Sequence, residues 1–545
     1  MKAISSSLKI SPLFRIRLAD GLFLALAWMA FCATDARADI LAMCTTNLVE
    51  GPAKGSDSVA FASPSPAVWT ATNNTPWLHL TAPTQSGTGN VNLSFSFDLN
   101  KGATRTGTIT FSGHQVKTLT VTQAGTNYVA AQAFTRLVSS GLSQPFGVAV
   151  DGAGNVYFAD ELNQAIKKWS VANNSVTTLV ASGLADPGGV AVDDAGDVYI
   201  ADGANNAIFK WTAANSNVTT VASASSGLNA PYGVAVDASG NVFIADSSND
   251  ALKEWSIANG SILTLVPSGL GFPQSVALDV SGNAYVAGYT NQTVKQWSST
   301  SRGVTTLVHT NLSAPQGVAV DGSGNVYIAN TSSNVIEKVS AVDGTVTMLI
   351  GTGLNLPRGV AVDDLGNVYL TDSGNNAVDE LPRAFVSAAT KSITGNAGSD
   401  VLPAVLPTAI NLLPPFAPTS DQSWLTINGA TNGVISFSFS ENPGTSSRTA
   451  NITVLGQTVP VVQAVPVPPP LLFGMNLRTN GVFQFSFSNL VTAATFTVLG
   501  TTNLTLPLAK WTVLGAATNT APGLYQFATG PTTNKHQSFY QVRSP

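Results

Sequence analysis

The sequence predicts an all-β fold: a six-bladed β-propeller with a β-sandwich on each side and a small β domain at the C-terminal end. Three observations support this prediction. A motif of about 42 residues recurs six times in the middle of the 545-residue chain, two mutually similar segments frame these repeats, and long helical periodicity is absent. Charged residues make up only 10% of the chain, and a chain of this length needs several hydrophobic cores.

The first 38 residues have the pattern of a secretory signal peptide. Basic residues precede an apolar run from Gly21 to Ala33, and Ala36-Arg37-Ala38 provides a small-residue cleavage site. Because that run is too short to span a bilayer comfortably, we expect a secreted or cell-surface protein with cleavage near Ala38 and no membrane span. The formal net charge of −5, which becomes −8 after cleavage, gives no reason to expect a nucleic-acid partner.

The chain has only two cysteines, Cys32 and Cys44. Cys32 leaves with the signal peptide, so no intramolecular disulfide can form in the mature chain. The segment Leu41 to Cys44 faintly resembles a lipidation site, with Met43 where such sites have a small residue. Lipidation of Cys44 therefore stays open.

Each repeat contains four short strand patterns. The first strand ends in the core GVAVD, and a turn with the pattern x-x-G-N or x-x-G-D leads into a second strand such as VYFAD. A third strand often ends in Trp, as AIKKW does, and a fourth reads VTTLV or similar. Four strands in about 42 residues are typical of a propeller blade. The six cores begin at Gly147, Gly189, Gly233, Ser275, Gly317 and Gly359.

The repeats resemble NHL repeats over the whole period P-x-G-V-A-V-D-x-x-G-N-V-Y-x-A-D-x-x-N. We place the propeller at residues 133–385. The segment from Ala133 to Ser140 has the pattern of an unpaired fourth strand, whereas the last repeat ends near Leu381 after three strands. We therefore expect the first segment to complete the last blade, so that the ring has no open edge.

The glycine-rich segment after GVAVD is predicted to be a turn rather than a phosphate loop. Gly154 is followed by a strand pattern and not by a helix whose N-terminal amides could face an anion. We expect Gly154 to take a positive φ and the Asp151 side chain to cap the turn; as a calcium site, this loop would offer few oxygen ligands. Tryptophan recurs at one strand position, which indicates packing between blades: Trp169, Trp211, Trp255 and Trp297.

A candidate binding site lies where the connectors between blades meet the loops after the second strands. These segments turn at the same face of a propeller, and that face opens on the central channel. The middle residue of P-x-G varies among the blades, and its aromatic, amide and guanidinium groups could hold a sugar or a peptide. The alternative is that this loop position is unconstrained surface. The candidate residues are Phe146, Tyr232, Gln274, Gln316 and Arg358, with Gly188 at this position in the second blade.

Acidic residues end the second strand in four blades, beside this ring. They are also candidate ligand contacts, although capping of their own loops is the simpler interpretation. Gly288 and Asn330 replace the acid in the other two blades. The four acids are Asp160, Asp202, Asp246 and Asp372.

An enzymatic function is the alternative that the propeller resemblance raises. The repeats are similar to those of streptogramin lyase and of the amidating lyase, metal-dependent enzymes whose activity rests on histidines around the channel. Here His309 is the single histidine between residues 133 and 385, which is too few for a three-histidine zinc site. We therefore expect no metal, no cofactor and no catalytic residue, although an acid pair on the same face stays open.

The two similar flanking segments occupy residues 39–126 and 386–465. Each has a W-L pair, an alternating SFSF strand, a hairpin that begins at an Asn and a closing strand that ends near a Gln, which suits an antiparallel sandwich. Both resemble BACON domains, which implies extracellular modules for which carbohydrate or mucin binding has been proposed. Trp77 and Trp424 lie within apolar strands, so core packing is a simpler interpretation than a sugar platform.

The C-terminal part begins with a Pro-rich linker at residues 466–470, which we expect to be extended. Residues 471–545 resemble the small β domain that closes many exported proteins of Verrucomicrobia-like bacteria. This resemblance implies nothing about activity. Trp511 alternates with apolar residues and is most simply a core residue.

Together these patterns favour an exported, non-catalytic, monomeric protein whose propeller face engages an extracellular glycan or protein ligand. Two other classes stay open: an enzyme similar to streptogramin lyase, and a purely structural or adhesive cell-surface scaffold. The geometry of the P-x-G side chains distinguishes them. If these side chains converge on one pocket, binding is favoured, and if they splay into solvent, the scaffold is favoured.

Overall fold

The computed structural model describes residues 42–43, 45–62, 68–80, 85–88, 90–113, 115–131, 134–466, 471–479, 481–488, 495–529 and 539–543. The expected signal peptide, Cys44 and positions 467–470 of the expected linker lie outside these residues. Within the described ranges the regular structure is β-strand apart from short 3₁₀ turns, and none of these turns is long enough to cross a membrane. The all-β fold class is confirmed.

The N-terminal domain is a sandwich of two sheets. Its strands are β1 (Ala42–Met43), β2 (Asn47–Glu50), β3 (Gly55–Ala62), β4 (Val68–Asn73), β5 (Leu78–Leu80), β6 (Gln85–Thr88), β7 (Val91–Phe97), β8 (Arg105–Ser112) and β9 (Val116–Gln123). One sheet has the order β1-β3-β7-β5 and the other β2-β9-β8-β4-β6. The expectation of purely antiparallel strands is wrong at one edge, where β2 runs parallel to β9. The chain passes from β1 in the first sheet to β2 in the second, beside β9, and returns to the first sheet with β3.

The middle of the chain forms six four-stranded sheets. A short ribbon of β10 (Tyr128–Ala130) and β35 (Phe385–Ser387) joins its two ends. The blade strands are β11 (Thr135–Val138); β12 (Pro145–Val150), β13 (Val156–Asp160), β14 (Ala165–Ser170), β15 (Ser175–Val180); β16 (Pro187–Val192), β17 (Val198–Asp202), β18 (Ala207–Trp211), β19 (Val218–Ala222); β20 (Pro231–Val236), β21 (Val242–Asp246), β22 (Ala251–Trp255), β23 (Ile262–Val266); β24 (Pro273–Leu278), β25 (Ala284–Gly288), β26 (Thr293–Trp297), β27 (Val304–Val308); β28 (Pro315–Val320), β29 (Val326–Asn330), β30 (Val335–Val339), β31 (Val346–Ile350); β32 (Pro357–Val362), β33 (Val368–Asp372) and β34 (Ala377–Leu381).

The six sheets are arranged in a ring. The innermost strands contact one another in the cyclic order β12, β16, β20, β24, β28, β32 and back to β12. The last sheet has the order β11-β34-β33-β32, so the strand that precedes the first repeat pairs antiparallel with β34. The expected completion of the last blade by this strand is confirmed.

The glycine of GVAVD is required because the innermost strands of adjacent blades approach closely. A Cβ built at Gly147 would lie 2.6 Å from the Gly188 oxygen, and one at Gly233 would lie 2.7 Å from the Ser275 Cα. Cβ atoms essentially never tolerate such distances from backbone, so the close approach itself selects glycine.

The turn between the first two strands of a blade has the expected geometry. Gly154 has a φ of +81°, and the Asp151 carboxylate accepts hydrogen bonds from the Ala153 and Asn155 amides at 3.0 and 2.8 Å. The prediction of a side-chain-capped turn is therefore confirmed. The Trp side chains pack between blades as expected: Trp211 lies in one cluster with Tyr157 of the preceding blade, and Trp297 lies 6.4 Å from the Phe243 ring.

The second flanking domain repeats the topology of the first. Its strands are β36 (Lys391–Ile393), β37 (Gly398–Val401), β38 (Thr419–Ser420), β39 (Leu425–Thr431), β40 (Val434–Phe439), β41 (Arg448–Val454) and β42 (Gln457–Gln463). The sheets are β36-β42-β41-β38 and β37-β40-β39, and β36 is parallel to β42, just as β2 is to β9. Trp77 and Trp424 are half-buried against their domain cores, and each has an arginine over its ring, Arg105 at 4.4 Å and Arg448 at 4.2 Å.

The C-terminal domain consists of two further small sheets. Its strands are β43 (Leu471–Leu477), β44 (Phe483–Ser488), β45 (Thr497–Thr501), β46 (Thr512–Ala516), β47 (Thr518–Ala521), β48 (Leu524–Ala528) and β49 (Phe539–Arg543). The sheet orders are β43-β44-β48-β47 and β46-β45-β49. Phe485, Phe487, Phe496 and Tyr525 form its core.

The N-terminal sandwich docks on the face of the propeller that carries the turns between first and second strands. The Ala60 amide donates to the Gly322 oxygen at 3.0 Å, and the Ser58 hydroxyl donates to the Ser323 oxygen at 2.6 Å. Arg383, just after the last blade, forms an ion pair with Glu50 at 2.8 Å. The connectors between blades lie on the opposite face, away from these contacts.

Candidate ligand-binding site

Five side chains from five blades converge on one cavity at the connector face. The cavity has a volume of about 220 Å³ and lies over the mouth of a narrower channel of about 60 Å³ between the innermost strands. The position x of P-x-G is the second residue of the strand that lines the channel, and each blade brings this side chain toward the ring axis. The structure thus brings together all the P-x-G candidates that have a side chain: Phe146, Tyr232, Gln274, Gln316 and Arg358.

One wall of the cavity is aromatic. Phe146 and Tyr232 lie with ring centroids 5.7 Å apart, and Phe272 extends the row at 6.4 Å from Tyr232. Tyr232 comes from the third blade but lies over the second, where a Cβ built at Gly188 would be 2.8 Å from its Cδ1 atom. The absence of a side chain at Gly188 therefore creates the slot that this ring fills.

Charged groups adjoin the aromatic wall of the cavity. The Arg358 guanidinium lies 5.1 Å from the centre of the Phe146 ring and forms an ion pair with Glu161. The Tyr232 hydroxyl donates to the Asp186 carboxylate at 2.6 Å. Burial raises the pKa of Glu161, Arg358 opposes this rise, and the Asp186 carboxylate adds to it. Burial also raises the pKa of Tyr232, so this hydroxyl remains a hydrogen-bond donor at neutral pH.

Two amide side chains stand at the boundary between the cavity and the channel. Gln274 is only 5% exposed, and the Gln316 side-chain oxygen is buried without a hydrogen-bond partner among the described residues. A buried acceptor without a partner costs about 1–3 kcal/mol, which makes it costly to keep for stability alone. A ligand hydroxyl or N–H group placed at this oxygen would satisfy it.

The four acidic candidates of the second strands lie beneath the cavity and do not line it. Each has a fully buried side chain. Asp160 accepts the Ser143 amide at 2.7 Å and the Asn163 side chain at 2.8 Å, and the other three bind their own connectors and loops in the same way. This arrangement supports the capping interpretation: Asp160, Asp202, Asp246 and Asp372 hold the connector in place rather than face a ligand.

Three lining residues were missed by the sequence interpretation. Glu161 and Tyr289 directly follow the end of the second strand, and Phe272 directly precedes Pro273. Tyr289 is 39% exposed at the rim of the cavity. Like the P-x-G position, these positions vary among blades, and that variation was the signal that could have identified them.

A metal site is not evident on this face. No group of three or more His, Cys, Asp or Glu side chains in the described ranges is arranged to hold a metal ion. The expectation that no cofactor or metal is involved stays a prediction.

Fold and cavity together define a β-propeller protein with flanking β-sandwich domains and one open pocket on the connector face. Family models match segments of the propeller and of both flanking domains. A "putative binding domain, N-terminal" model, BACON, matches residues 67–124 and 417–464; the NHL repeat model matches 184–211 and 354–378; and a β-propeller repeat model matches 266–293. The chain is thus an NHL-repeat propeller flanked by BACON domains. No curated protein matches it.

Several solved structures are similar to this chain over part of its length. One is a protein of unknown function from Bacteroides thetaiotaomicron, with 14% identity, a TM-score of 0.42 and coverage of 64% of this chain and 98% of that one. A catalytically inactive virginiamycin B lyase from Staphylococcus aureus, crystallised with quinupristin, has 16% identity, a TM-score of 0.37 and coverage of 47% and 85%. The calcium-binding protein regucalcin from Agrobacterium tumefaciens has 14% identity, a TM-score of 0.40 and coverage of 46% and 94%. At these values the likeness concerns the fold alone.

Proposed function

We propose that this chain is an exported, non-catalytic binding protein whose connector-face cavity holds the end of an extracellular glycan. The observation that carries the proposal is the convergence of five variable side chains, each from a different blade, on one cavity. Ring geometry brings this position toward the axis in every blade, and the aromatic, amide and guanidinium groups that occupy it here line one cavity instead of splaying into solvent, as the scaffold alternative predicts.

The chemistry of the lining favours a sugar over an apolar ligand. An aromatic wall can stack on the C–H face of a pyranose, and the amides and the guanidinium can form planar hydrogen bonds with ring hydroxyls. The unpartnered oxygen of Gln316 requires a hydrogen-bond donor, which every sugar hydroxyl supplies. A cavity of about 220 Å³ fits one or two sugar units rather than a long chain.

The test is a glycan-array screen of the chain from Asp39 onward, followed by calorimetric titration of the best binder. We expect Gln316→Leu and Tyr289→Ala each to weaken binding at least tenfold. Leu162→Ala is the matched control, because Leu162 is 58% exposed beside Glu161 but does not line the cavity. If all three variants bind with equal affinity, the glycan is bound by the BACON domains and not by the cavity. If the chain binds no glycan at all, the proposal is refuted.

One observation favours a second candidate, acid–base chemistry on the bound glycan. Burial raises the pKa of Glu161, and this carboxyl group lines the cavity beside Asp186. Incubation of the chain with the glycan that it binds, followed by product analysis, distinguishes the two candidates. If the chain converts the glycan and Glu161→Gln abolishes this conversion, the protein is a catalyst and not only a binding protein.

A further inference from the structure

The first strand of the C-terminal domain is an uncovered apolar edge. All seven residues of β43 are exposed, and five of them are large and apolar: Leu471 at 72%, Leu472 at 52%, Phe473 at 44%, Met475 at 67% and Leu477 at 66%. In the described part of the chain, β43 pairs with β44 alone and ends its sheet. Contiguous exposed apolar surface of this kind marks an interaction site.

The exposed residues of β43 include those on the face that it shares with the core side of β44. Leu472 pairs with Phe487, and Leu477 pairs with Phe483, both of which lie on the side of β44 that faces the core. In a closed sandwich these two leucines would be covered by the opposite sheet. The sandwich is therefore open along this edge.

The edge is poorly suited to pairing with a further strand. The register of β43 shifts between Phe473 and Asn476, and Gly474 within this bulge has a φ of +59°. Bulges at sheet edges twist the backbone away from a potential partner strand and are a common defence against edge-to-edge association. The apolar side chains are thus presented without a regular ladder of backbone groups beside them.

The charge of this domain differs sharply from that of the rest of the mature chain. Residues 471–545 contain four Lys and Arg residues and no Asp or Glu, whereas residues 39–470 contain 16 Lys and Arg residues and 28 Asp and Glu residues. Three of the four cations lie in described segments and are exposed: Arg478, directly after β43, Lys510 and Arg543. The domain therefore carries a formal charge of +4 on a chain that is otherwise strongly acidic.

We infer that the C-terminal domain is a peripheral membrane anchor that lays the β43 edge on an anionic lipid surface. Apolar side chains that insert at the headgroup boundary, combined with cations that face anionic headgroups, are the two components of interfacial binding. The absence of carboxylates removes the repulsion that the acidic remainder of the chain would experience at such a surface. This inference is independent of the glycan-binding proposal, since the two surfaces share no residue.

The test is co-sedimentation of the chain from Asp39, which retains every described residue, with two kinds of vesicle. One is pure phosphatidylcholine, and the other contains about one third phosphatidylglycerol. We expect binding to the anionic vesicles that is at least tenfold stronger than to the neutral ones and that falls as salt is raised.

Two sets of variants separate the apolar and the charged contributions. Leu471→Ser with Met475→Ser should lower binding to anionic vesicles at least tenfold, and Arg478→Gln with Lys510→Gln should remove most of the salt dependence. The matched control is Leu263→Ser with Met348→Ser, which alters equally exposed apolar residues on outer propeller strands. Because all these side chains are exposed, circular dichroism should show an unchanged fold.

Two results would overturn the inference. The first is that the chain fails to bind anionic vesicles, or that the β43 variant binds them as the parent does. The second is a concentration-dependent dimer in light scattering that the β43 variant abolishes without any vesicle binding, which would assign the edge to a second copy of the chain.

Discussion

An ion pair links the two ends of the propeller ring at the last blade. In two blades, a lysine on the third strand neutralises the buried acid of the second strand: Lys167 lies 2.6 Å from Asp160, and Lys253 lies 2.6 Å from Asp246. The last blade has Asp379 at the lysine position, so its acid has no cation within the repeat. Arg136 of β11 supplies it.

The contacts of Arg136 link the closing strand to both acids. Its Nε atom lies 3.1 Å from the Asp379 carboxylate, and an Nη atom lies 3.4 Å from the Asp372 carboxylate. Both carboxylates are completely buried, whereas the arginine side chain is 40% exposed. Burial raises the pKa of Asp379 to about 6, and Arg136 opposes that rise.

We expect Arg136→Met to loosen the closing strand without unfolding the ring. Removal of one partner of a buried pair costs about 3–5 kcal/mol. Because water screens the exposed guanidinium, about 2–3 kcal/mol is a better expectation here. Since about 1.4 kcal/mol corresponds to a tenfold change in an equilibrium constant, the opening equilibrium of β11 should rise about 30- to 140-fold.

The opening of β11 can be measured by hydrogen exchange and mass spectrometry on peptides that cover 134–140. The effect should depend on pH, because a carboxyl group whose folded-state pKa is raised loses stability as pH rises from its unfolded value toward its folded one. For Asp379 in the parent this window runs from about 4 to about 6. Without Arg136 the folded-state pKa rises further, so the difference between variant and parent should be larger at pH 8 than at pH 5.

The double variant Arg136→Met with Asp379→Lys is the decisive control. It restores within the blade the lysine that Lys167 and Lys253 provide but not the contact to β11, so β11 should still exchange fast although the buried charge of Asp372 is neutralised. If the double variant exchanges as slowly as the parent, or if the single variant exchanges as the parent does, the ion pair to Arg136 is not what holds the ring closed.

Three further predictions concern the domain interface, the ring axis and the cavity. Burial raises the pKa of Glu50 to about 8, so the stability that its protonated form provides should be lost as pH rises from about 4.5 to 8. The melting temperature of Glu50→Gln should therefore rise relative to that of the parent across this pH window. A difference in melting temperature that stays constant with pH would contradict this. Gly233→Ala places a Cβ 2.7 Å from backbone and should cost about 2 kcal/mol or more in urea unfolding. Gly102→Ala, whose Cβ would make only an ordinary contact with the Asn100 side chain at 3.8 Å, should change stability by less than about 0.5 kcal/mol. Gln316→Leu should stabilise the fold by about 1 kcal/mol while it weakens ligand binding, and a loss of stability would show that the amide has a structural partner.

The fold was predictable because its signal is local and repeated. Gly154 and its turn follow from one motif that occurs six times, and the closing strand follows from counting strands in the first and last repeats. The parallel pairing of β2 with β9 could not be predicted, because the same alternation of side chains suits both directions of pairing. Register and direction depend on how the chain enters the sandwich, which no short pattern encodes.

The candidate site was predictable only in part, and the difference has a physical cause. Position x of P-x-G begins the strand nearest the axis, so ring geometry alone places its side chain in the cavity. Whether an acid at the end of the next strand faces the cavity or the loop beneath it depends on which amides it can reach. The Asp160 carboxylate accepts a hydrogen bond from the Ser143 amide at 2.7 Å, so it holds the connector in place and does not face a ligand.

The departures from repeat symmetry determine what the cavity can recognise. Six identical blades would produce a symmetric mouth with the same group at each sixth of the ring. Here the second blade contributes Gly188, and the Tyr232 ring moves into the vacated space toward Phe146, which concentrates the aromatic surface on one side. Gln316 and Arg358 complete the lining, with the Arg358 guanidinium beside the Phe146 ring. In the glycan proposal, the apolar face of the ligand would lie on the aromatic rings and its hydroxyl groups would meet the amides and the guanidinium, which is the asymmetry of a pyranose ring.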